Sequence, residues 1–495
     1  MTTPQGHAAT AAGELRAEVR ETHSAVVLLI GDRAYKIKKP VSLGFLDFRT
    51  ERTRREVCRR ELDLNRRLAP DVYLDVITVT GRDGRSYDYG LLMSRMPDTL
   101  RLSRMIEDGV AVDNHLRALA RLLARFHASA DRSPQIAAEG AAAGLRRRWV
   151  NNLSETETFR GSLLPELVHE RLSRLALRYV DGRAHLMDER AAAGLTVDGH
   201  GDLIAEDVFC LPDYPRVLDC IEFDDRLRWL DVLDDAAFLA MDLEHLGRPD
   251  LGALFLRYYL EFSGTPTVAS LEHHYIAYRA FVRAKVSCIQ AVQGRPAAAA
   301  DADRYAKLAL RHLEAAEVTL TLVGGAPGTG KTTLARNLAD HLGAVLLSSD
   351  AVRQDMPVAA PADRYSDTAK AATYQELLTR ARHALQHGES VVADATWSDT
   401  RSRDVAAAVA AETASGLVAL ECRAPVEIAA VRAQQRLERG GDSSQAGPEV
   451  ARRLAAGRVP WPTAAAIDTS GTIEQALGTA LAALAKAGAR PAGAR

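Results

Sequence analysis

The sequence predicts an α+β region followed by an α/β domain whose parallel sheet is covered by helices on both faces. Three observations lead to this prediction. Apolar, β-branched segments alternate with helical segments from about residue 316 onward, whereas before residue 315 pairs of strands precede long helical stretches. Residues 318–333, VTLTLVGGAPGTGKTT, place a glycine-rich turn between a strand and a helix. We therefore expect one domain over residues 1–315 and a second over residues 316–490.

The bulk composition limits the class of protein. A chain of 495 residues is too long for one core, and 47% hydrophobic and 26% charged residues are typical of a globular protein. A formal net charge of −2 argues against nucleic-acid binding by bulk electrostatics. Five scattered cysteines without a C-x-x-C pair predict reduced thiols. The sequence shows neither a signal-peptide pattern nor an apolar run of ~20 residues, so we expect a cytoplasmic protein without a membrane partner.

The N-terminal elements follow in order. AVVLLI and AYKIKK, within residues 25–39, predict two strands around the turn GDR, and a long charged helix is expected near residues 50–68. A second strand pair is expected over residues 75–96. The pattern is then helical over three stretches, at residues 112–196, 234–262 and 271–317.

The C-terminal elements alternate. After the strand at the glycine-rich turn, further strands are predicted at residues 344–349, 390–395, 417–422 and 465–470. Helices are predicted between them, at residues 366–387, 401–411 and 426–439, and an Ala-rich helix closes the chain. Such βα repetition predicts a parallel sheet.

The glycine-rich turn fits G-x-x-x-x-G-K-[ST] and predicts a nucleotide site. Its backbone N–H groups would surround a triphosphate at the positive end of the following helix. Lys331 would reach the β- and γ-phosphates, and the Thr332 hydroxyl would bind Mg²⁺, so ATP and Mg²⁺ are the expected cofactors. The predicted nucleotide-binding residues are Gly325, Ala326, Pro327, Gly328, Thr329, Gly330, Lys331, Thr332 and Thr333.

Three further features of this half suit phosphoryl transfer. Asp350 follows the second strand, where it would act as a general base toward an acceptor hydroxyl or simply begin a helix. Asp394 ends an apolar strand and would hold Mg²⁺ through water. Arg432, Arg436 and Arg439 lie on one helical stripe before a Gly/Ser segment, and we expect Arg436 and Arg439 to close over the transferring phosphate as catalytic groups.

A second phosphate-handling site is predicted at HGDLIAED, residues 200–207. Asp202 would orient an acceptor hydroxyl, and Asp207, five residues later, would reach a nucleotide-bound Mg²⁺. Upstream, Lys36 would contact the phosphates, and Glu61 would be the ion-pair partner of Lys36. Lys38 is the alternative to Lys36, because alternation places it on the same strand face. For the second metal carboxylate Asp219, Glu222 and Asp224 remain open, with Asp219 and Glu222 ahead of Asp224.

The first 315 residues resemble the aminoglycoside phosphotransferase family, also called choline/aminoglycoside-kinase-like. The resemblance rests on Lys36, Glu61, the HGDL of residues 200–203 and the acidic segment 219–224. It implies a two-lobed kinase fold that phosphorylates hydroxyls of small molecules. The C-terminal half resembles small P-loop kinases related to gluconate kinase, zeta-toxin-type kinases and polynucleotide kinase, through GGAPGTGKTT, SSD-x-x-R, VVADAT and the lid arginines. Their order resembles a fusion of an aminoglycoside-phosphotransferase-like domain with an ATP-binding kinase.

These features predict an ATP-dependent phosphotransferase with two nucleotide sites and a small-molecule hydroxyl as acceptor. A regulatory alternative stays open, in which a pseudokinase lobe gates a P-loop ATPase. A kinase of nucleic-acid 5′-hydroxyls is the least favoured reading because the net charge is near zero. The sequence leaves the acceptor, ATP versus GTP, and the oligomeric state open.

Overall fold

The structure is a computed structural model of the chain. It describes residues 17–21, 25–41, 48–356, 366–439, 449, 452 and 459–487. The chain forms two compact units. The first contains Met1–Asp131, Val197–Leu230 and Asp242–Gly264, and the second contains Arg132–Thr196, Asp231–Met241 and Thr265–Arg495. Because these units interleave along the chain, the domain limits 1–315 and 316–490 stay a prediction.

The first unit contains a five-stranded antiparallel sheet. Its order is β1-β2-β3-β5-β4, with strands β1 (Glu18–Glu21), β2 (Ala25–Ile30), β3 (Arg33–Lys38), β4 (Tyr73–Thr80) and β5 (Ser86–Ser94). Gly31 has a φ of 57° in the tight turn between β2 and β3, a conformation that favours glycine. Both predicted strand pairs are confirmed, whereas β1 was not predicted.

Helix α1 (Glu51–Asn65) packs on this sheet. Thr50 caps its N-terminus, because the Thr50 hydroxyl accepts the N–H of Thr53 at 3.1 Å. Cys58 and Leu62 bury one face against strand residues that include Leu91. Glu61 lies on the same buried side, so packing of α1 carries a carboxylate into the interior.

Helices dominate residues 102–315, as predicted for 112–196, 234–262 and 271–317. They are α2 (Leu102–Glu107), α3 (Asp113–Ser129), α4 (Pro134–Gly140), α5 (Ala142–Thr156), α6 (Glu166–Gly182), α7 (Ala184–Ala192), α8 (Val232–His245), α9 (Pro249–Ser263), α10 (Ala269–Val292) and α11 (Ala298–Ala315). Four short strands, not predicted individually, interrupt them at β6 (Thr196–Asp198), β7 (Val208–Cys210), β8 (Pro215–Val217) and β9 (Trp229–Asp231).

The second unit contains a five-stranded, wholly parallel sheet, which confirms the α/β prediction. The order is β11-β12-β10-β13-β14, with strands β10 (Thr319–Gly324), β11 (Val345–Ser348), β12 (Val391–Asp394), β13 (Gly416–Arg423) and β14 (Ala465–Asp468). The strand before the glycine-rich turn is therefore central. Ligands gather at the carboxyl ends of such strands, where the strand order reverses.

Six helices accompany this sheet within the described residues. They are α12 (Lys331–Leu342), α13 (Ser349–Asp355), α14 (Asp367–Gln386), α15 (Thr400–Glu412), α16 (Val426–Arg439) and α17 (Ile473–Lys486). Leu334 and Leu338 of α12 and Leu484 of α17 join the buried core with the strand residues Val323 and Leu420. This packing fixes the position of the glycine-rich turn that precedes α12.

All five cysteines are buried and free of disulfides. In the described part of the chain, no helix combines the length and apolar character needed to cross a membrane.

Candidate functional site

The glycine-rich turn adopts a conformation that depends on its glycines. Gly325, Gly328 and Gly330 have φ values of 152°, 80° and 84°. A Cβ atom on Gly328 would lie 2.1 Å from the Ala429 carbonyl oxygen of α16. Neither the backbone angle nor the available space therefore permits a side chain at Gly328 without a shift of the loop.

Side chains hold this loop from two directions. The Thr329 hydroxyl donates to the Ala326 carbonyl at 2.8 Å, and the Thr469 hydroxyl after β14 donates to the Thr329 carbonyl at 2.5 Å. Arg432 of α16 donates to the Thr469 carbonyl at 2.9 Å. Helix α12 then begins at Lys331 with Gly330 at its N-cap and no side-chain cap. Its first turn thus presents N–H groups at the loop, as an anion site requires.

A buried carboxylate lies beside this helix start. The Thr332 hydroxyl donates to Asp394 Oδ2 at 2.7 Å, and the Ser348 hydroxyl lies 3.4 Å from the same oxygen. Asp394 is 2% exposed, and its Oδ1 has no hydrogen-bond partner in the part of the chain that the structure describes. Burial raises the pKa of Asp394, the charge of Asp350 adds to this, and Lys331 opposes it. A buried, incompletely satisfied carboxylate next to a threonine hydroxyl fits a Mg²⁺ site.

Asp350 lies in the first turn of α13, at the end of β11. Arg353, one turn later, donates to the Asp350 carboxylate at 2.6 Å. The effect of Asp350 on the pKa of Asp394 shows that the two carboxylates are electrostatic neighbours. The structure thus brings together Lys331, Thr332, Asp350 and Asp394. Arg436 and Arg439 belong to helix α16, but their side chains lie outside the described residues.

The N-terminal site contains a network of two lysines and three carboxylates. Glu61 is fully buried and pairs with Lys36 at 2.8 Å and with Lys38 at 2.6 Å. Lys38 also contacts Glu222 at 2.5 Å, and Lys36 contacts Asp219. Both lysines therefore point to the same side of β3, as strand alternation predicts, and each joins Glu61 to a different acidic residue.

The acidic candidates separate into distinct environments. Burial raises the pKa of Asp207 well above its usual value, and the charges of Asp219 and Asp202 raise it further. Asp219 has a φ of 64°, rare for a residue with a side chain, and its N–H donates to the Tyr73 hydroxyl at 3.1 Å. Glu222 is engaged by Lys38, whereas Asp224 accepts the N–H of Arg226 at 3.0 Å as a helical cap.

His200 connects the two segments of this site. Its Nε2–H donates to the Leu218 carbonyl at 3.0 Å, and its Nδ1 accepts the N–H of Asp202 at 3.3 Å. The His200 side chain is completely buried. It therefore holds the HGDL segment against the acidic segment, which leaves both ring nitrogens committed to backbone groups.

A cavity of about 570 Å³ opens beside this network in the first unit. Residues of α1 and residues 222–226 contribute most of its lining, together with Phe48 and Trp229. Its wall includes Glu222, so the cavity reaches the Lys38–Glu222 pair. Its lining includes four acidic and two arginine side chains: Glu56, Glu222, Asp224, Asp225, Arg60 and Arg226.

Three residues of these sites were not identified from the sequence. Ser348 contacts Asp394, Tyr73 contacts the Asp219 backbone, and Arg101 lowers the pKa of Asp207 against the effect of burial. The sequence did contain a signal for Ser348, because this residue ends the strand that precedes Asp350. No local pattern marks Tyr73 or Arg101, which are more than one hundred residues from their partners.

A central strand, a glycine loop, a helix-opening Lys-Thr pair and a strand-end aspartate define a P-loop nucleotide-binding domain. In agreement, a family model described as AAA domain matches residues 320–460. The chain is 44% identical over 472 residues to uncharacterized proteins of Mycobacterium tuberculosis (Rv2004c) and Mycobacterium bovis (Mb2027c), and the match covers 94% of this chain and 94% of each relative. The chain belongs to the family of these mycobacterial proteins.

Solved structures are similar to each half of the chain. A gluconokinase from Sinorhizobium meliloti 1021 covers 34% of this chain and 92% of its own, at 18% identity and a TM-score of 0.24. A choline/ethanolamine kinase family protein from Mesorhizobium loti covers 62% of this chain and 94% of its own, at 16% identity and a TM-score of 0.39.

Proposed function

We propose that the P-loop region binds ATP with Mg²⁺ and transfers the γ-phosphoryl group to a hydroxyl of a small molecule. One observation carries this proposal. Asp394 is buried at the end of β12 with an unsatisfied Oδ1, and its other oxygen accepts from Thr332 directly behind the glycine loop. A carboxylate left in this state is costly unless a cation binds there.

The roles of the chain's own groups follow from their positions. The loop between Gly325 and Gly330 directs backbone N–H groups to the phosphates, and Lys331, buried at the start of α12, adds a positive charge. Thr332 and Asp394 would hold Mg²⁺, which would supply positive charge against the phosphates. Asp350 accepts the proton of the acceptor hydroxyl, and Arg353 holds its carboxylate in place. Arg436 and Arg439 would stabilise the charge on the transferred group.

We also propose a second phosphotransferase site in the N-terminal region. Lys36, oriented by Glu61, contacts the nucleotide phosphates, and Asp202 takes the proton from the hydroxyl that receives the phosphoryl group. Asp207 and Asp219 hold Mg²⁺, because their mutual repulsion is relieved by a cation. Among the carboxylates left open by the sequence, Asp219 is preferred because its charge raises the pKa of Asp207, whereas Asp224 serves as a cap.

The enzymatic and regulatory readings differ in their need for an acceptor. ADP release would be measured with Mg²⁺ and ATP alone, and then with sugars, amino sugars, nucleosides or 5′-hydroxyl oligonucleotides added singly. A kinase gives ADP in step with one phosphorylated acceptor, detected by mass spectrometry. Acceptor-independent hydrolysis that a ligand merely changes would instead support the gated ATPase. Labelled oligonucleotide would support the nucleic-acid kinase.

Matched variants assign the activity to a site. Lys331→Met and Asp350→Asn should lower turnover by about 10²-fold or more, whereas Asp340→Asn, on the exposed side of α12, should not. Asp202→Asn should likewise lower turnover of any acceptor used by the N-terminal site. Asp63→Asn, at an exposed position of α1, is the control and should leave that turnover unchanged. If Lys331→Met retains full turnover with every acceptor, the P-loop proposal is wrong.

A further inference from the structure

Two helices of the second unit bring together three side chains that suit a transition metal. His185 and Glu189 lie one turn apart on α7, and His387 directly follows α14. His185 Nε2 lies 3.0 Å from Glu189 Oε1, and His387 Nε2 lies 2.9 Å from Glu189 Oε2. The candidate ligand atoms all lie within 4.8 Å of one another. None of these residues belongs to either proposed nucleotide site.

The hydrogen bonding of His387 identifies what its Nε2 needs. His387 Nδ1 lies 2.7 Å from the His383 carbonyl oxygen, which can only accept, so Nδ1 carries the proton. In the neutral imidazole, Nε2 then carries a lone pair and can only accept, yet it lies 2.9 Å from Glu189 Oε2, which is also an acceptor. Two acceptors at that distance require a positive species between them, either a second proton or a metal ion. A backbone carbonyl bound to Nδ1 is also the usual support of a metal-ligating histidine.

The surrounding backbone fixes the two helices relative to each other. Arg183, 1% exposed, donates to the Leu385 and Thr413 carbonyls at 3.2 and 3.1 Å, which ties the start of α7 to the last turn of α14. On the other side of His387, the Ser270 hydroxyl donates to the Gly388 carbonyl at 2.7 Å. The three side chains are therefore presented by anchored elements, which lowers the entropic cost of metal binding.

The donor set indicates the class of metal. Two imidazole nitrogens and one carboxylate oxygen suit zinc and neighbouring first-row divalent ions, whereas Mg²⁺ and Ca²⁺ prefer oxygen alone. Zinc bonds of about 2.0–2.2 Å separate tetrahedral ligands by roughly 3.3–3.6 Å, a few tenths of an ångström more than the two short contacts of 3.0 and 2.9 Å. His185 and Glu189 are about half exposed, so water can supply the fourth ligand.

We propose that His185, Glu189 and His387 bind one zinc-class divalent cation, with water completing the coordination. The cation cross-links α7 to the end of α14. His185 and Glu189 precede the domain boundary predicted at residue 315 and His387 follows it, so the metal joins segments that are remote in sequence. This proposal is independent of the nucleotide chemistry described above.

The test uses the full-length protein without a polyhistidine tag, stripped with EDTA and kept free of nucleotide. Zn²⁺ is titrated against a chromophoric chelator, and Co²⁺ is added separately to record absorption between about 500 and 650 nm, where tetrahedral Co²⁺ sites absorb. The wild type should bind one tight equivalent of Zn²⁺ and develop the Co²⁺ bands. Zn²⁺ should also raise its thermal unfolding midpoint.

Three variants and one control decide the assignment. His185→Ala, Glu189→Gln and His387→Ala should each weaken Zn²⁺ binding at least about tenfold, remove the Co²⁺ bands and remove the shift in unfolding midpoint. His341→Ala, an exposed histidine in the last turn of α12, should leave all three unchanged. Circular dichroism verifies that each variant is folded. Because His185 is exposed, His185→Ala should fold normally, so this variant by itself can test the proposal. Equal Zn²⁺ affinity in wild type and His185→Ala, or no tight equivalent in the wild type, would overturn the proposal.

Discussion

Replacing His274 by Gln should remove a specific part of the acid sensitivity of this protein. His274 is completely buried in α10, and its ring stacks on Tyr179 at 4.3 Å. The Trp149 indole N–H donates to His274 Nε2 at 3.1 Å. Nε2 is therefore an acceptor, and its protonation would place two donors against each other. Burial lowers the pKa of His274 to about 3, and the nearby charges of Arg183 and Arg148 contribute.

The magnitude follows from linkage. The unfolded histidine has a pKa near 6.5, whereas the folded one titrates near 3. Between these values the unfolded state binds more protons, so stability is complete above pH ~6.5 and falls as the pH falls toward 3. A pH of about 5 lies roughly 1.5 units below the pKa of the unfolded histidine. At this pH the protonation of the unfolded state alone therefore costs about 2 kcal/mol of unfolding free energy.

Urea unfolding at about pH 7.5 and pH 5.0, followed by circular dichroism and tryptophan fluorescence, measures this difference. Between the two values the wild type should lose about 2 kcal/mol more than His274→Gln, whose amide oxygen can accept from Trp149 but cannot protonate. Exposed His341→Gln should behave as the wild type. An equal loss in wild type and His274→Gln would refute the reasoning.

Three further predictions concern the two nucleotide sites. Gly328→Ala should weaken ATP binding, measured by calorimetry, at least about tenfold, because its Cβ would meet the Ala429 carbonyl at 2.1 Å. Gly343→Ala, also at positive φ but in open space, should leave the affinity unchanged, and equal effects would contradict the role of the close contact. Glu61→Gln should lower the urea-derived stability by about 3–5 kcal/mol because it leaves two buried ammonium groups without their shared carboxylate, whereas exposed Glu56→Gln should have little effect. Similar midpoints for both variants would show that the Glu61 network is not stabilising. Asp394→Asn should raise the unfolding midpoint of the nucleotide-free protein by about 2–4 °C while abolishing tighter ATP binding in Mg²⁺, because it removes a buried charge that a cation would otherwise neutralise. A lower midpoint in calorimetric scans, with Mg²⁺ dependence retained, would contradict this assignment.

Local patterns were sufficient for most of the helices and for the longer strands. The strand, glycine loop and helix around Gly330 are contiguous, so their order and the P-loop follow from spacing alone. Alternation in β3 likewise predicted that Lys36 and Lys38 share a face, and both contact Glu61. Strand β1 was not predicted, because its four residues EVRE show no alternation of apolar and polar side chains. Its extended conformation accompanies its antiparallel pairing with β2.

Choices among similar residues needed the tertiary structure. Spacing left Asp219 and Glu222 open, with Asp224 behind them, whereas in the structure Lys36 approaches Asp219 and Lys38 approaches Glu222 across about 180 positions of sequence. The backbone conformation of Asp219 adds a distinction that no residue pattern contains. Side-chain partners of this kind depend on how distant elements pack, and packing is a property of the whole fold.

The amino-acid order by itself determined the parallel sheet, the anion-binding loop and the types of residue that surround it, because each depends on neighbours a few positions apart. Only the folded chain decided which carboxylates share a charge environment and that His387 approaches Glu189 from 198 residues away. The physical reason is that periodicity and turn chemistry act locally, whereas ion pairing, desolvation and metal coordination depend on distances that chain packing sets.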